Sequence, residues 1–322
     1  MSALLEIRDL SKVYPVRGSA GVRALNRVSL TLDRGEVLGI VGESGCGKST
    51  LGRALLRLIE PTGGQILFEG EDLTALDRAA LKRRRRDLQI VFQDPFGSLN
   101  PRHRVGAIIR EPLDVHRIGT ARERRARVRE LLVTVGLPEN AAERYPHEFS
   151  GGQRQRIAIA RALALEPKLI VADEPVSALD VSIQSQIINL IADLRTRLKL
   201  SILFISHDLS VIRHVSDRIA VMYLGSIIET GPANALMENP AHPYTQALLS
   251  AIPRPDAAGR RERIVLKGEL PDPAHPPRGC AFHTRCPHAM PVCATEPPAL
   301  VPRHHGGGGR EAACHLHEPV RG

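Results

Sequence analysis

Five groups of residues in this chain have the types and spacing for phosphate chemistry, and they come in a fixed order. The first is Gly42-Glu43-Ser44-Gly45-Cys46-Gly47-Lys48-Ser49, continued by Thr50, which has the GxxxxGKS/T spacing of a phosphate-binding loop. Its glycines let the backbone curl so that N–H groups face an anion at a helix N-terminus. Lys48 is placed to reach the β- and γ-phosphates of a nucleotide, and the Ser49 hydroxyl suits Mg2+. Cys46, inside the loop, is read as offering its backbone N–H rather than thiol chemistry. Gln93 follows, then Ser150-Gly151-Gly152-Gln153, then Asp173-Glu174 at the end of an apolar run, and lastly His207. A carboxylate ending a strand suits a metal-bound water, which is the role read for Asp173, and Glu174 beside it suits a general base acting on water. An acidic pair after a strand is weak evidence alone, but paired with the loop it points to a nucleotide-driven machine.

The elements that must position these groups are legible around them. Residues 37–41, Val-Leu-Gly-Ile-Val, read as a buried strand entering the glycine loop, and residues 51–59 as a helix leaving it, ended by Pro61-Thr62-Gly63-Gly64. Before the loop, residues 4–41 alternate short strand-like runs with turns. Residues 95–165 are mostly helical in pattern and rich in arginine. Strand-like runs return at 169–172, 202–205 and 219–223, with a helical stretch between the first two. The expectation is an α/β core with a helical insertion, and after about residue 231 a small proline-rich accessory region poor in regular structure.

Composition sets bounds on this reading. A chain of 322 residues with 43% hydrophobic content can bury a core and hold two domains. Its N-terminus mixes charges into the apolar stretch, unlike a signal peptide, and no apolar run approaches the ~20 residues that cross a bilayer. A soluble, cytoplasmic protein is therefore expected. The net charge of +9 gathers at Arg83-Arg84-Arg85-Arg86 and along Arg122, Arg124, Arg125, Arg127 and Arg129. It reads as solvated helix surface, with anionic lipid or nucleic acid as the sharper alternatives. An ATP-dependent nucleic-acid protein is the competing function. Against it stands the 3% aromatic content with no Trp, which leaves no interleaved aromatics for base stacking.

The run Ser150-Gly151-Gly152-Gln153-Arg154-Gln155-Arg156 resembles the signature of the ATP-binding cassette (ABC) ATPases. The resemblance covers residues 1 to about 235. It implies a P-loop ATPase core with an antiparallel β subdomain and a helical subdomain at about 95–165. It also implies that the signature serine and glycine amides grip the γ-phosphate of a nucleotide held by a second cassette, so that two ATP molecules lie between two subunits. The resemblance assigns Gln93 to sensing Mg2+ and water, Asp180 to a contact across the dimer, and His207 to the γ-phosphate. Tyr14 stands where the family stacks adenine, and Phe149 replaces the leucine usual before the signature serine. Residues 91–102, from Val91 to Arg102, look like the coupling-loop region of the oligopeptide/dipeptide importers, a group that includes nickel importers. His242-Pro243-Tyr244-Thr245 with residues 248–253 resembles that group's C-terminal signature. Membership implies two transmembrane permease subunits, a second ABC ATPase subunit of paralogous type and, indirectly, an extracytoplasmic solute-binding protein. It implies a peripheral place on the cytoplasmic face of the inner membrane, and no nucleic acid.

Four of the five cysteines, Cys280, Cys286, Cys293 and Cys314, form C-x5-C-x6-C-x20-C within the accessory region, residues 236–322. Clustered cysteines in a cytosolic protein more often bind metal than form disulfides. The resemblance implies a 4Fe-4S cluster at these four, and zinc is the alternative, though the tight C-x2-4-C knuckle of zinc sites is missing. His283, His288, His304, His305 and His315 keep mixed ligation open, and Gly306-Gly307-Gly308-Gly309 makes a flexible tether to Cys314. Such a site is expected to staple a segment with too little core of its own.

Overall fold

The structure, a computed structural model, describes residues 3–16, 18, 21–252, 264–266, 268–302 and 309–317. His304, His305, Pro253 and residues 306–308 of the glycine tether lie outside the described residues.

In chain order, β1 (Leu5–Tyr14) and β2 (Val22–Leu32) are strands with one buried face, Leu5, Ile7 and Leu10 pointing inward from β1. β3 (Val37–Val41) is buried along its whole length, as its unbroken apolar run demands of a parallel strand. It feeds the glycine loop and α1 (Lys48–Leu55). That helix is shorter than the 51–59 expected and starts earlier, because the loop itself forms its first turn. It stops at a Schellman arrangement: Arg57 takes a left-handed φ of 47°, its N–H donates to Ala54 O, and Leu58 N–H donates to Arg53 O. β4 (Gly63–Phe68), β5 (Glu71–Asp72), α2 (Arg78–Arg84, capped by Asp77) and β6 (Leu88–Val91) follow.

The middle of the chain is helical, with α3 (Pro95–Ser98), α4 (Val105–Val115), α5 (Ala121–Thr134) and α6 (Gly151–Leu163). A Thr120–Glu123 capping box starts α5. Alternating strands and helices then return as β7 (Leu169–Asp173), α7 (Val181–Leu198), β8 (Ser201–Ser206), α8 (Leu209–Val215), β9 (Arg218–Tyr223) and β10 (Ser226–Pro232). Last come α9 (Ala233–Glu238), α10 (Pro243–Ser250) and the two-residue strands β11 (Val301–Pro302) and β12 (Glu311–Ala312). Among the described residues no helix is long and apolar enough to cross a membrane.

The chain divides into two compact units. The first comprises Met1–Thr31, Val37–Thr74 and Ser206–Gly322. Within it β2-β1-β4-β5 make a sheet in which β1 and β4 run antiparallel, Leu5 opposite Phe68. A second set runs β11-β12-β10-β9-β3, with β3 parallel to β9 and the remaining pairs antiparallel. The segment between Cys293 and Cys314 thus returns as a strand on β10, Glu229 opposite Ala312, which ties the accessory region to the nucleotide-loop strand system by backbone hydrogen bonds. The second unit, Leu32–Glu36 and Ala75–Ile205, holds β6, β7 and β8 in parallel with α2 to α7. Here the arginine runs find partners: Arg124 pairs with Asp114, and Arg127 with Glu130 and Glu166, while Arg122, Arg125 and Arg129 stay exposed.

Candidate nucleotide site

In the first unit the loop leaves the C-terminal end of β3. A side chain at Gly42 would overlap Met222 O, and one at Gly47 would overlap Ala24 O, so both positions admit only glycine. Gly47 also has φ 107° and is the N-cap of α1, where it offers no side-chain cap, and the first helical turn has no acidic residue. The positive end of α1 therefore opens onto the loop with no acidic residue in its own first turn. Lys48 is only 4% exposed and donates to Gly42 O at 2.8 Å and Glu43 O at 3.0 Å. A buried ammonium folded back on two carbonyls of its own loop is poised for an arriving phosphate. Cys46 is buried, and burial pushes its thiol pKa up, which keeps it protonated and leaves its backbone as its useful part. Ser49 and Thr50 lie half-buried in the first turn of α1. Tyr14 ends β1 at 39% exposed, with Lys12 Nζ 5.0 Å from its ring centre, and His207 is exposed between β8 and α8.

Arg285, which motif reading did not single out, and Tyr244, singled out only as part of the C-terminal signature, complete this part. The Glu43 carboxylate receives Arg285 Nη1 at 2.8 Å and Nη2 at 3.1 Å, and the Glu43 N–H donates to the Tyr244 hydroxyl at 2.8 Å. Glu43 and Arg285 are 242 residues apart, so no local pattern could have joined them.

In the second unit β7 delivers Asp173, fully buried, at its C-terminal end. Glu174 takes a left-handed φ of 47°, an uncommon conformation for a non-glycine residue. Its N–H donates to Ile205 O at 3.0 Å, and its carboxylate accepts from Gln93 Nε2 at 2.9 Å. Ser150 caps α6 in a reciprocal box: Gln153 N–H donates to Ser150 Oγ at 3.4 Å, and Ser150 N–H donates to Gln153 Oε1 at 3.0 Å. Gly151 lies against Leu179, and Gly152 is so close to Ile183 of α7 that a methyl group there would overlap it. Phe149 is buried under the Arg144 guanidinium, 4.4 Å from the ring centre. Asp180 is the exposed N-cap of α7. Arg161, further along α6, donates to Ser98 O at 2.6 Å, linking the helix that starts at Ser150 to the segment after Gln93.

The cysteine region departs from expectation. Cys280 N–H donates to Cys293 O, and all four thiols are free. Burial first, then the neighbouring sulfurs, raises the pKa of Cys280 and Cys286, and Cys314 is pushed up to about 11. Among the described residues no group of three or more His, Cys, Asp and Glu side chains forms a site that could hold a metal ion. The 4Fe-4S expectation at Cys280, Cys286, Cys293 and Cys314, and its zinc alternative, therefore find no support among the described residues. The histidines weighed as co-ligands are partly engaged: His283 donates a ring N–H to Cys280 O, and His315 to Glu296 O.

A glycine loop between a strand and a helix, an Asp-Glu pair ending a parallel strand and a Ser-capped glycine helix are the parts of an ABC-type ATPase. Comparison with known proteins agrees. Residues 25–177 match the ABC transporter family, and residues 228–293 match the oligopeptide/dipeptide transporter C-terminal region. The chain is 56% identical to the oligopeptide transport ATP-binding protein AppF of Bacillus subtilis (strain 168), across 98% of this chain and 97% of that one. It is 51% identical to the dipeptide transport ATP-binding protein DppF of Escherichia coli (strain K12), across 97% and 93%. Among solved structures, the ATP-binding cassette MJ0796, a dimer in a post-hydrolysis state bound to ADP and Pi, superposes with TM-score 0.65 at 33% identity. That match covers 71% of this chain and 98% of the other. The chain belongs to the ATP-binding proteins of the oligopeptide/dipeptide ABC transporters and is an ABC-type ATPase. None of these relatives is named for work on nucleic acid.

Proposed function

We propose that this chain is the ATP-hydrolysing motor of a membrane importer for di- and oligopeptides, one of two cassettes that close on ATP and reopen after hydrolysis. The observation that carries the hydrolytic half is the Gln93–Glu174 hydrogen bond, which sets a base candidate beside the loop that senses the nucleotide. Transport is supported by the match of the C-terminal region and by the names of the relatives.

Each residue has a part in this reading. The loop amides of Gly42 to Ser49, with Ser44, Gly45, Gly47 and Thr50, cradle the phosphates, and Lys48 exchanges the carbonyls of Gly42 and Glu43 for the β- and γ-phosphate oxygens. Ser49, Asp173 and Gln93 present oxygen donors, the set that fits Mg2+, and would hold that ion, which when bound neutralises charge developing on the phosphates. Glu174 orients and deprotonates the attacking water while Gln93 steadies its carboxylate. His207 donates to the transferred phosphoryl group, and Tyr14 stacks on adenine. Ser150, Gly151, Gly152 and Gln153, with Asp180, serve the nucleotide of the second cassette, so Ser150 gives up its cap to Gln153 as the dimer closes. The chain then works peripherally at the cytoplasmic face of the inner membrane with two permease subunits, a paralogous cassette and a solute-binding protein outside.

The test is uptake of labelled di- and oligopeptides by cells that carry the complete transporter, with this chain either intact or as Glu174→Gln. Uptake lost with the variant, while the subunit is still present at the membrane, is the expected result. Uptake at the parental rate would remove the chain from the motor role.

A further inference from the structure

We propose that Arg285 is a positioning residue of the phosphate-binding loop, acting by neutralising and holding Glu43; the proposal rests on the reading that residues 42–49 receive the nucleotide's phosphates. A loop built to attract an anion carries a carboxylate at its second position. Left uncompensated, that charge opposes phosphate binding. Arg285 answers it with a two-pronged pair at 2.8 and 3.1 Å, and its own side chain is only 8% exposed, so the pair is poorly screened by solvent. The carboxylate in turn holds the guanidinium pKa above its ordinary value.

The surroundings make this a built contact. Arg285 ends the short helical turn His283–Arg285 between Cys280 and Cys286. Three residues earlier Phe282, 1% exposed, packs edge-on to Tyr223 at 5.4 Å and against Tyr244 at 5.5 Å between ring centres. Tyr244 is the residue whose hydroxyl accepts the Glu43 N–H. The Tyr223 hydroxyl faces the same guanidinium without reaching hydrogen-bond geometry. Glu43 is thereby held at three points: its N–H by Tyr244, its carbonyl by Lys48, its carboxylate by Arg285. When Lys48 turns to a phosphate, the two holds supplied by the C-terminal region remain. The cysteine-bearing tail is thus a structural part of the nucleotide loop, and the chain cut before it would hold ATP poorly.

The experiment is a charge cycle on the full chain, read as the Kd of a fluorescent ATP analogue in the presence of Mg2+, with folding checked by thermal melting. Arg285→Ala should weaken binding about tenfold or more, equivalent to roughly 1.4 kcal/mol. Arg285→Lys should fall between, keeping the charge and losing the fork. Adding Glu43→Gln to Arg285→Ala should restore most of the affinity, a rescue that a purely structural role for Arg285 would not produce. A parental Kd for folded Arg285→Ala, or a double variant as weak as the single one, overturns the proposal. If Arg285→Ala does not fold, Glu43→Gln alone decides: a Kd equal to or tighter than parental supports the proposal, and a weaker one overturns it. Lys48→Ala is measured in parallel; if it too binds like the parent, the loop is not the phosphate site and the underlying reading fails instead.

Discussion

Gln93 donates its side-chain amide to the Glu174 carboxylate at 2.9 Å, although 81 residues separate them. The pair joins the end of β6 to the end of β7, neighbouring parallel strands in which Val91 stands opposite Ala172. The Gln93 amide thus holds a carboxylate on a residue with a left-handed backbone, φ 47°. Gln93→Ala frees it. We expect kcat to fall at least tenfold, with a smaller rise in the Kd for Mg-ATP from the lost oxygen donor to Mg2+. Steady-state ATPase assays beside equilibrium binding check this.

Lys48→Ala should act the other way, through affinity. Its ammonium is the charge buried in the loop, and its removal should raise the Kd for ATP tenfold or more while the melting temperature changes little. Binding unchanged in the folded variant would count against the phosphate role.

Ser150→Ala separates the helix cap from the intersubunit role. Loss of the cap should cost about 1 kcal/mol of stability, read as a lower denaturation midpoint. If Ser150 also serves a second cassette's nucleotide, turnover should drop far more than this stability change explains, with ATP binding to the lone subunit retained. Turnover that tracks the stability loss alone would leave Ser150 as a cap only.

What the sequence made legible was local. The loop at 42–49, the strand into it and the Asp-Glu pair after β7 are contiguous, so spacing and apolar runs were enough to place them. The strand-like runs of residues 4–41 and the helices from α3 to α6 likewise follow from short-range pattern, whereas the antiparallel pairing of β1 with β4, Leu5 opposite Phe68, was implied by the family resemblance alone. Three things were not legible. The end of α1 depends on Arg57 adopting a conformation that glycine usually supplies, so the Pro-Gly signal at 61–64 pointed too far on. The Arg285–Glu43 pair and the β10–β12 ladder are contacts between distant segments that no window of sequence contains. The cysteines gave a spacing but not a side-chain arrangement: among the described residues no group of three or more His, Cys, Asp and Glu side chains could hold a metal ion.

His242 predicts an acid-side loss of stability. It caps α10, its Nδ1 accepting the Tyr244 N–H at 3.1 Å, and it is 1% exposed. Burial, helped by His317, lowers its pKa to about 3 from an ordinary value of 6.5. The unfolded chain therefore binds a proton that the folded chain refuses between those two values, and the stabilisation present above pH 6.5 is lost progressively as pH falls toward 3. The buried neighbour Glu229 accepts the Ala241 and His242 N–H groups. His242→Asn keeps a capping oxygen without the titration, so its denaturation midpoint should decline less steeply over that range. Equal slopes for parent and variant would reject this origin of the acid sensitivity.

The central claim is that Glu174 turns ATP binding into hydrolysis. Glu174→Gln keeps the size of the side chain and removes the base, and a general base contributes about 10²–10⁴-fold to rate. The direct measurement is single-turnover hydrolysis of ATP by this variant together with its Kd for ATP. We predict parental affinity with hydrolysis at least a hundredfold slower; hydrolysis at the parental rate with ATP bound would contradict the account.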